Sequence, residues 1–461
     1  MDKALRDALD STDNITYTQQ IRGLNEETVR AISAHLEEPQ RMLEHRLASL
    51  EHFFKMPMPT WWPPLDGLDF NELVYYAQPE QSEMQSDWEK VDPTIKEKFA
   101  RLGIPDAEQR YLAGAGGQMD SEVVYHNIKA KRAEKGVIFE DMSWAVKSHE
   151  ALVKKYFMKL IPKHDHKFMA LHGAVWSWGT FIYVPQGVIV DEPLQAYFRM
   201  NSLSWGQFEH TLIIVEDDAQ CDYIEGCSAP KMNKKSLHAG GVEVYVGKRA
   251  KMRYSSVENR STNTYNLNTK RATVWEDAFM ERVNGNLWSC TTMLYPCSIL
   301  QGDRAKTDML GIAVAGAGQN QDTWSKVIHI GKHSSSTIVS KSISKDGGIS
   351  TYRGIVDIKA SAEWATNATE CDALLMDDIS VSTTIPIIVA NNDTATIAHE
   401  ASVGRVDELL LFYLQSRGLG EEKAMAMIVN GFISPIVKKL PLEYAWELNR
   451  LIEMEMEWSV W

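Results

Sequence analysis

From about Lys167 to His399 the chain consists of short β-branched runs separated by clusters of Gly, Asn, Asp and Ser, with few helical patterns between them. Thr211 to Val215, Gly241 to Val246, Val327 to Ile330, Gly354 to Ile358 and Pro386 to Ala390 are such runs. Each is long enough for one strand, and each is bounded by residues that turn the backbone. A fold with that pattern must stack many short strands, as a β-solenoid or as a β-sandwich. A degenerate echo favours the solenoid. Val244-Tyr245-Val246-Gly247-Lys248 resembles Ile328-His329-Ile330-Gly331-Lys332, and small, polar and β-branched residues follow both. Periodicity alone leaves the two architectures about even.

The flanks are different in kind. Val29, Ile32 and Leu36 recur at helical spacing behind an Asn25 cap, and Met42, Leu43, Leu47, Leu50 and Phe54 extend the pattern past Pro39. Pro57-Met58-Pro59-Thr60-Trp61-Trp62-Pro63-Pro64 then breaks any helix, and its tryptophans read as packing on the chain's own core. Beyond the β region, Leu409, Phe412, Tyr413 and Ser416 share a helical face that ends at Gly418. A second helix begins near Glu421, and a third follows Pro441 with Leu442, Ala445, Leu448, Ile452 and Met456 on one side. The expected organisation is a mostly helical region over 1–165, a β core over 166–403 and a helical domain over 404–461.

Charge and motifs narrow the chemistry. With 48 basic and 62 acidic residues the net charge is −14, which offers no footprint for nucleic acid or an anionic membrane. Met1-Asp2-Lys3-Ala4-Leu5-Arg6-Asp7 lacks the apolar stretch of a signal peptide, and Ile385 to Ala390 is too short to span a bilayer. Five cysteines, an odd number, fit a reduced, cytoplasmic setting. Gly331-Lys332-His333 lacks the upstream glycine of a phosphate loop, and Gly311 to Gly318 lacks dinucleotide-binding spacing. No C-x-x-C pair exists, and His164-Asp165-His166 reads as a solvated turn. Energy input, if any, must come from a partner.

The residues left to carry chemistry are few. Cys227 follows Gly226 and precedes Pro230, which predicts a turn where another molecule's sulfur can approach. Cys371, if on a strand, shares a face with Thr369, Ala373 and Leu375, which predicts burial. Either thiol taken singly is equally explained as a small apolar filler. His399 and Glu400 are adjacent ligands that face opposite ways on a regular strand, so one metal takes both only at a bend or bulge. Thiolate, imidazole and carboxylate together suit iron better than magnesium or calcium.

These segments resemble one family in order and composition. Tyr223 to Pro230 is similar to the sulfur-entry motif of the SufB family. So are Tyr197-Phe198-Arg199-Met200-Asn201, Thr269-Lys270-Arg271-Ala272, Ile328 to Lys332, Ser350-Thr351-Tyr352-Arg353-Gly354, Glu370-Cys371-Asp372, His399-Glu400-Ala401 and Met427 to Phe432. Tyr111 to Gly114 and Ser121 to His126 fit as well, so the likeness runs from about residue 95 to the C-terminus.

The resemblance implies a right-handed parallel β-helix with helical segments at both ends, and a scaffold for iron–sulfur cluster assembly with no catalytic activity of its own. It implies Cys227 as sulfur acceptor, Arg199, Asn201 and Lys270 along a sulfur path, and Cys371, His399 and Glu400 at the cluster site. Cations along that path suit a persulfide or sulfide in transit. The implied partners are a SufC-like ABC ATPase on the C-terminal helices, a second SufB-like or SufD-like subunit, a cysteine desulfurase or sulfide donor, and apo iron–sulfur proteins. The chain departs from many bacterial members in having no cysteine-rich motif before Cys221, and in carrying Glu258 and Arg260 where they have Gln and Trp. A SufD-like, cluster-free partner is the nearest rival, and such paralogues generally lack Cys227, Cys371 and Glu400 together. A polysaccharide-cleaving β-helix would need a secretion signal, and a mononuclear iron enzyme a second histidine at recognisable spacing.

Overall fold

A computed structural model describes residues 17–79 apart from 61, 114–119, 122–128, 133–199, 206–228, 235–439 and 445. Asn201 and the expected helix after Pro441 lie outside the described residues. β1 (Tyr17–Arg22) leads into α1 (Glu26–His35) and α2 (Gln40–Lys55), and β2 (Val74–Pro79) returns to pair antiparallel with β1. Asn25 caps α1 as expected, its side chain accepting from the Thr28 N–H at 2.8 Å. In α2 the inward aromatic is Phe53, not Phe54, which stands exposed. Trp62 stacks on Phe168 with ring centroids 4.7 Å apart, inside the chain's own core. β3 (Gly114–Met119), β4 (Glu122–Ile128), β5 (Ile138–Asp141), α3 (Met142–Ser148), α4 (Glu150–Tyr156) and α5 (Lys167–Val175) complete the N-terminal region, so strand and helix are mixed there.

The middle of the chain is a parallel β-solenoid of about seven turns. Its strands are β6 (Thr180–Val184), β7 (Leu194–Arg199), β8 (Gly206–Gln207), β9 (His210–Val215), β10 (Gln220–Ser228), β11 (Ser236–His238), β12 (Gly241–Val246), β13 (Lys251–Asn259), β14 (Thr264–Val274), β15 (Phe279–Leu287) and β16 (Thr291–Leu300). β17 (Lys306–Ala315), β18 (Asn320–His329), β19 (Ser335–Ser344), β20 (Ile349–Ile358), β21 (Thr366–Leu375), β22 (Val381–Ala390) and β23 (Thr396–Arg405) continue it. Sheet I runs β7-β10-β13-β15-β17-β19-β21-β23, and sheet II runs β6-β9-β12-β14-β16-β18-β20-β22. α6 (Glu408–Ser416) and α7 (Glu421–Val437) follow.

One recurrent corner makes the stack regular. At six successive passages from sheet II to sheet I a residue takes a left-handed backbone: Asp218, Arg249, Asp277, Arg304, His333 and Trp364, spaced 27 to 31 residues apart. That conformation is unfavourable for a side-chain-bearing residue. It is offset because each of the first five donates its N–H to a carbonyl one turn on, at 2.8 to 3.0 Å. The sequence echo is this corner repeated three turns later. A Cβ on Gly331 would lie 1.9 Å from the Gly302 carbonyl oxygen, so only glycine lets successive turns stack that closely.

The alternation of side chains sorts three cores. Ile213, Val244, Val274, Met280, Val327 and Val356 point into the lumen. The outer face of sheet II, with Leu212, Ile214, Tyr265 and Leu267, packs under the N-terminal helices. The outer face of sheet I, with Ile224, Val283, Ile312 and Ile343, packs under Val429, Ile433 and Ile436 of α7. Each fully buried aliphatic side chain contributes roughly 1.5–3 kcal/mol. The last turn has no such cover: Val403 is 53% exposed and Ile388 45%. The described residues include no helix long and apolar enough to cross a membrane.

Candidate functional site

Cys227 does not occupy a turn. It is the penultimate residue of β10, in register with Phe198 of β7 and Glu258 of β13, and 1% exposed. Strands on both sides satisfy the backbone here, which overrides the turn tendency of Gly226 and Pro230. The thiol therefore faces the lumen, and a donor's sulfur must enter the solenoid to meet it. Arg199 ends β7 in register with Ser228, one residue past Cys227.

Around Cys227 the lumen is polar. Lys270 donates to Glu258 at 2.8 Å and to Ser256 at 2.9 Å, and Tyr254 donates to Glu225 at 2.9 Å. Asn268 also donates to Glu258, His238 contacts Glu209 and Asn266, and Arg260 donates to Gln207. Burial alone would push the Glu258 carboxyl up, yet Lys270, His238 and Arg260 hold it down to about 2. Burial raises Glu225 instead, against the pull of Lys270. Burial also pushes the Cys227 thiol far above its ordinary range, with Arg260 opposing and Glu225, Glu209 and Glu258 adding to the rise. The resting group is a thiol rather than a thiolate.

Sequence reasoning named Lys270 here and flagged Glu258 and Arg260, but missed Glu209, Glu225, His238 and Tyr254. Their signal was period-two alternation, as in Tyr254, Ser256 and Glu258 or Asn266, Asn268 and Lys270. That pattern ordinarily marks a solvent-facing strand surface.

The second thiol stands near the open end. Cys371, on β21, is 3% exposed and shares its inner face with Thr369 and Ala373, as its neighbours predict. Burial raises its pKa, with the Thr384 hydroxyl opposing. Its Sγ is 3.7 Å from His399 Nε2 and donates to the Glu400 carbonyl oxygen at 3.4 Å. β23 pairs with β21 without a bulge, His399 opposite Thr369 and Glu400 opposite Glu370. The imidazole therefore turns inward beside the thiol while the Glu400 carboxylate turns outward. Because β23 is the last strand, one open cleft still takes in Thr369, Glu370, His399 and Glu400 around its edge. Among the described residues no three His, Cys, Asp or Glu side chains converge as a metal-holding group.

The two thiols lie on neighbouring files of the same inner face. On the inner face of sheet I one file runs Glu225, Ser256, Asn284, Gly311, Ser340, Cys371. The neighbouring file runs Cys227, Glu258, Asn286, Ala313, Ser342, Ala373 and ends at Val403. Five inter-strand steps separate the cysteines, about 24 Å at ~4.8 Å a step. The first file is lined by small and polar side chains throughout.

Comparison with known proteins gives this geometry a family. Residues 198–432 match the SufBD core domain of the SUF system for iron–sulfur cluster assembly, and residues 118–196 match the SufBD N-terminal region. The chain is 52% identical over 439 residues to the iron–sulfur cluster assembly protein SufB of Bacillus subtilis, covering 95% of this chain and 94% of that one. It is 50% identical over 448 residues to an iron–sulfur cluster assembly SufBD family protein of Staphylococcus saprophyticus, covering 97% and 96%. A Staphylococcus aureus member of that family is 51% identical over the same length. The chain belongs to the SufBD family of iron–sulfur cluster assembly proteins.

Proposed function

We propose that this chain is the scaffold on which the cluster is built, with Cys227 as sulfur acceptor and Cys371, His399 and Glu400 as the residues that receive iron and sulfur. The observation that carries this is the Cys371–His399 pair, two soft or borderline donors 3.7 Å apart across the last two strands of sheet I, beside the uncovered rim of the described solenoid. The file of small and polar residues back to the Cys227 chamber supports a lumenal route past Lys270, and the family resemblance adds Arg199 and Asn201 to that path. Glu400, on the outer side of the same rim, is suited to iron arriving from solvent. The cluster is cargo here, passed on to apo iron–sulfur proteins.

Two donors do not make a four-ligand site. A second SufB-like or SufD-like subunit seated on the open end supplies the remainder, and the exposed Val403 and Ile388 support that contact. α6 exposes Leu409, Leu410, Phe412 and Tyr413, a surface suited to a SufC-like ABC ATPase that hydrolyses the ATP. All five cysteines are free, in keeping with a cytoplasmic scaffold loaded by a desulfurase or by sulfide.

The test is anaerobic reconstitution of single-cysteine variants. Cys371→Ser should lose the cluster absorption whether sulfur comes from a persulfide donor or from free sulfide. Cys227→Ser should lose it only with the persulfide donor. Equal iron and sulfide on Cys371→Ser and wild type would refute the assignment.

A further inference from the structure

Four of the five cysteines are buried, and Cys290 is the partly exposed one. It sits in the corner between β15 and β16, outside the lumen's two functional thiols, and its backbone is held by the rungs on either side. Its N–H donates to the Thr264 carbonyl at 3.0 Å, and its own carbonyl accepts from the Asn320 N–H at 2.9 Å. Lys235 immediately precedes β11, which pairs with β14, and β14 in turn pairs with β16. The lysine side chain crosses that intervening rung, its Nζ 5.3 Å from the Tyr265 ring centroid, and donates to the Cys290 Sγ at 3.1 Å. A Cβ added at Gly67 would lie 3.9 Å from the Lys235 Cγ, so the stem is confined on that side.

Lysines elsewhere in the solenoid turn to carboxylates, as Lys332 does to Glu363 and Lys341 to Asp372. Among the described residues Lys235 meets no carboxylate, and its hydrogen-bond partner is the sulfur. The Tyr265 phenol does not compete for the nitrogen. Burial raises it to about 12, with Cys290 and Asp66 adding to the rise, and its hydroxyl donates to the Asp66 carbonyl. Two nucleophilic side chains are thus held together at bonding range, one of them a thiol that solvent reaches. Accessible cysteines beside a cationic group are the ones that small oxidants attack.

We propose that Cys290 and Lys235 form a redox-modification site, at which a peroxide joins them through an S–O–N bridge. The sulfur attacks one peroxide oxygen, the O–O bond breaks, and the thiol becomes a sulfenic acid with release of water. The lysine nitrogen, having given a proton to solvent, takes an oxygen from a second peroxide and becomes a hydroxylamine, releasing a second water. The hydroxylamine oxygen then attacks the sulfenyl sulfur, forming the S–O bond and expelling the sulfenic hydroxyl as a third water. Sulfur and nitrogen are each oxidised by two electrons, and the two peroxides take up all four. The bridge ties β11 to the start of β16 across β14. His238 on β11 lines the Cys227 chamber through Glu209 and Asn266, so closing the bridge pins one wall of that chamber when peroxide is present. The site follows from the geometry of the pair and does not depend on the assembly reading.

The experiment treats the full chain with graded hydrogen peroxide in mildly alkaline buffer and follows it by peptide mass spectrometry and thermal unfolding. In wild type the peptides carrying Lys235 and Cys290 should appear joined, heavier than their sum by one oxygen less two hydrogens, and dithiothreitol should separate them. Because the bridge closes a long loop of the unfolded chain, the Tm should rise by a few degrees and fall back on reduction. Cys290→Ser should show neither change. Lys235→Arg keeps the cation but removes the primary amine, so its Cys290 should proceed to sulfinic acid with no joined peptides and no rise in Tm. Cys290 recovered unmodified or as sulfinic acid in wild type, with Lys235 unchanged, would overturn the proposal. So would joined peptides lighter than their sum by two hydrogens alone, which mark a disulfide, or a Tm rise that persists in Lys235→Arg.

Discussion

Replacing Lys270 by Met removes the cation that Glu258 depends on, inside a chamber where neither group meets water. Wild-type Glu258 titrates at about 2 when folded and near 4.5 when unfolded, a difference worth about 3 kcal/mol at neutral pH. Because the folded value is the lower one, this stability is present above 4.5 and is lost as the pH falls from 4.5 through 2. Lys270→Met removes the largest of the opposing charges and leaves a buried carboxylate with Arg260, His238 and two amide donors, which costs up to about 3–5 kcal/mol at neutral pH. The carboxyl of the variant then prefers its proton, so the deficit should shrink as the medium is acidified. Glu258→Gln added to Lys270→Met should restore most of the loss, since a neutral amide can keep the contacts to Asn266 and Asn268. The assay is the urea midpoint of the anaerobic protein at acid and neutral pH. A Lys270→Met variant that unfolds at the wild-type midpoint throughout would refute the reasoning, as would a double variant no more stable than the single one. The same pair separates transport from folding. Persulfide-dependent cluster formation should remain impaired in the restored double variant, because the path still lacks its ammonium.

Two further outcomes bear on assembly. Val403→Asp with Ile388→Asp should reduce the complex with its ATPase from two scaffold chains to one in sedimentation and lower the cluster yield, whereas a monomer carrying a full cluster would contradict the shared site. Leu409→Asp with Phe412→Asp on α6 should abolish co-purification of the ABC ATPase without moving the Tm. These substitutions are a sharper test than deleting 420–461, because Val429 and Ile433 of α7 cover sheet I.

The solenoid was partly legible because its corners recur. The echo at Val244 to Lys248 and Ile328 to Lys332 is one corner met three turns apart, but the turns between them were hidden. Thr273-Val274-Trp275-Glu276 and Ile299-Leu300-Gln301-Gly302 form the same corner with different side chains, because what recurs is a backbone conformation and a close approach. That Cys371 shares a face with Thr369 and Ala373, and that His399 and Glu400 face opposite ways, followed from strand alternation. Cys227 was misjudged as a turn residue because lateral pairing to β7 and β13 joins residues 29 to 31 apart, beyond any local pattern. The buried charges of the chamber were illegible for the same reason: alternating polar residues look alike whether they face solvent or a lumen.

The uncovered last turn has a mechanical consequence. In a stack where each rung touches only its neighbours, the cost of opening a rung is set by how many neighbours it has. β23 has one in its sheet, so His399 and Glu400 ride on an edge strand that detaches more cheaply than an interior one, while the Cys227 chamber is clamped on both sides. Amide exchange protection should therefore fall along the axis towards the C-terminal rim. On the proposed scaffold reading, a finished cluster would leave by peeling that single strand, with every interior rung still closed, and a subunit docked on the rim would set when the peeling occurs.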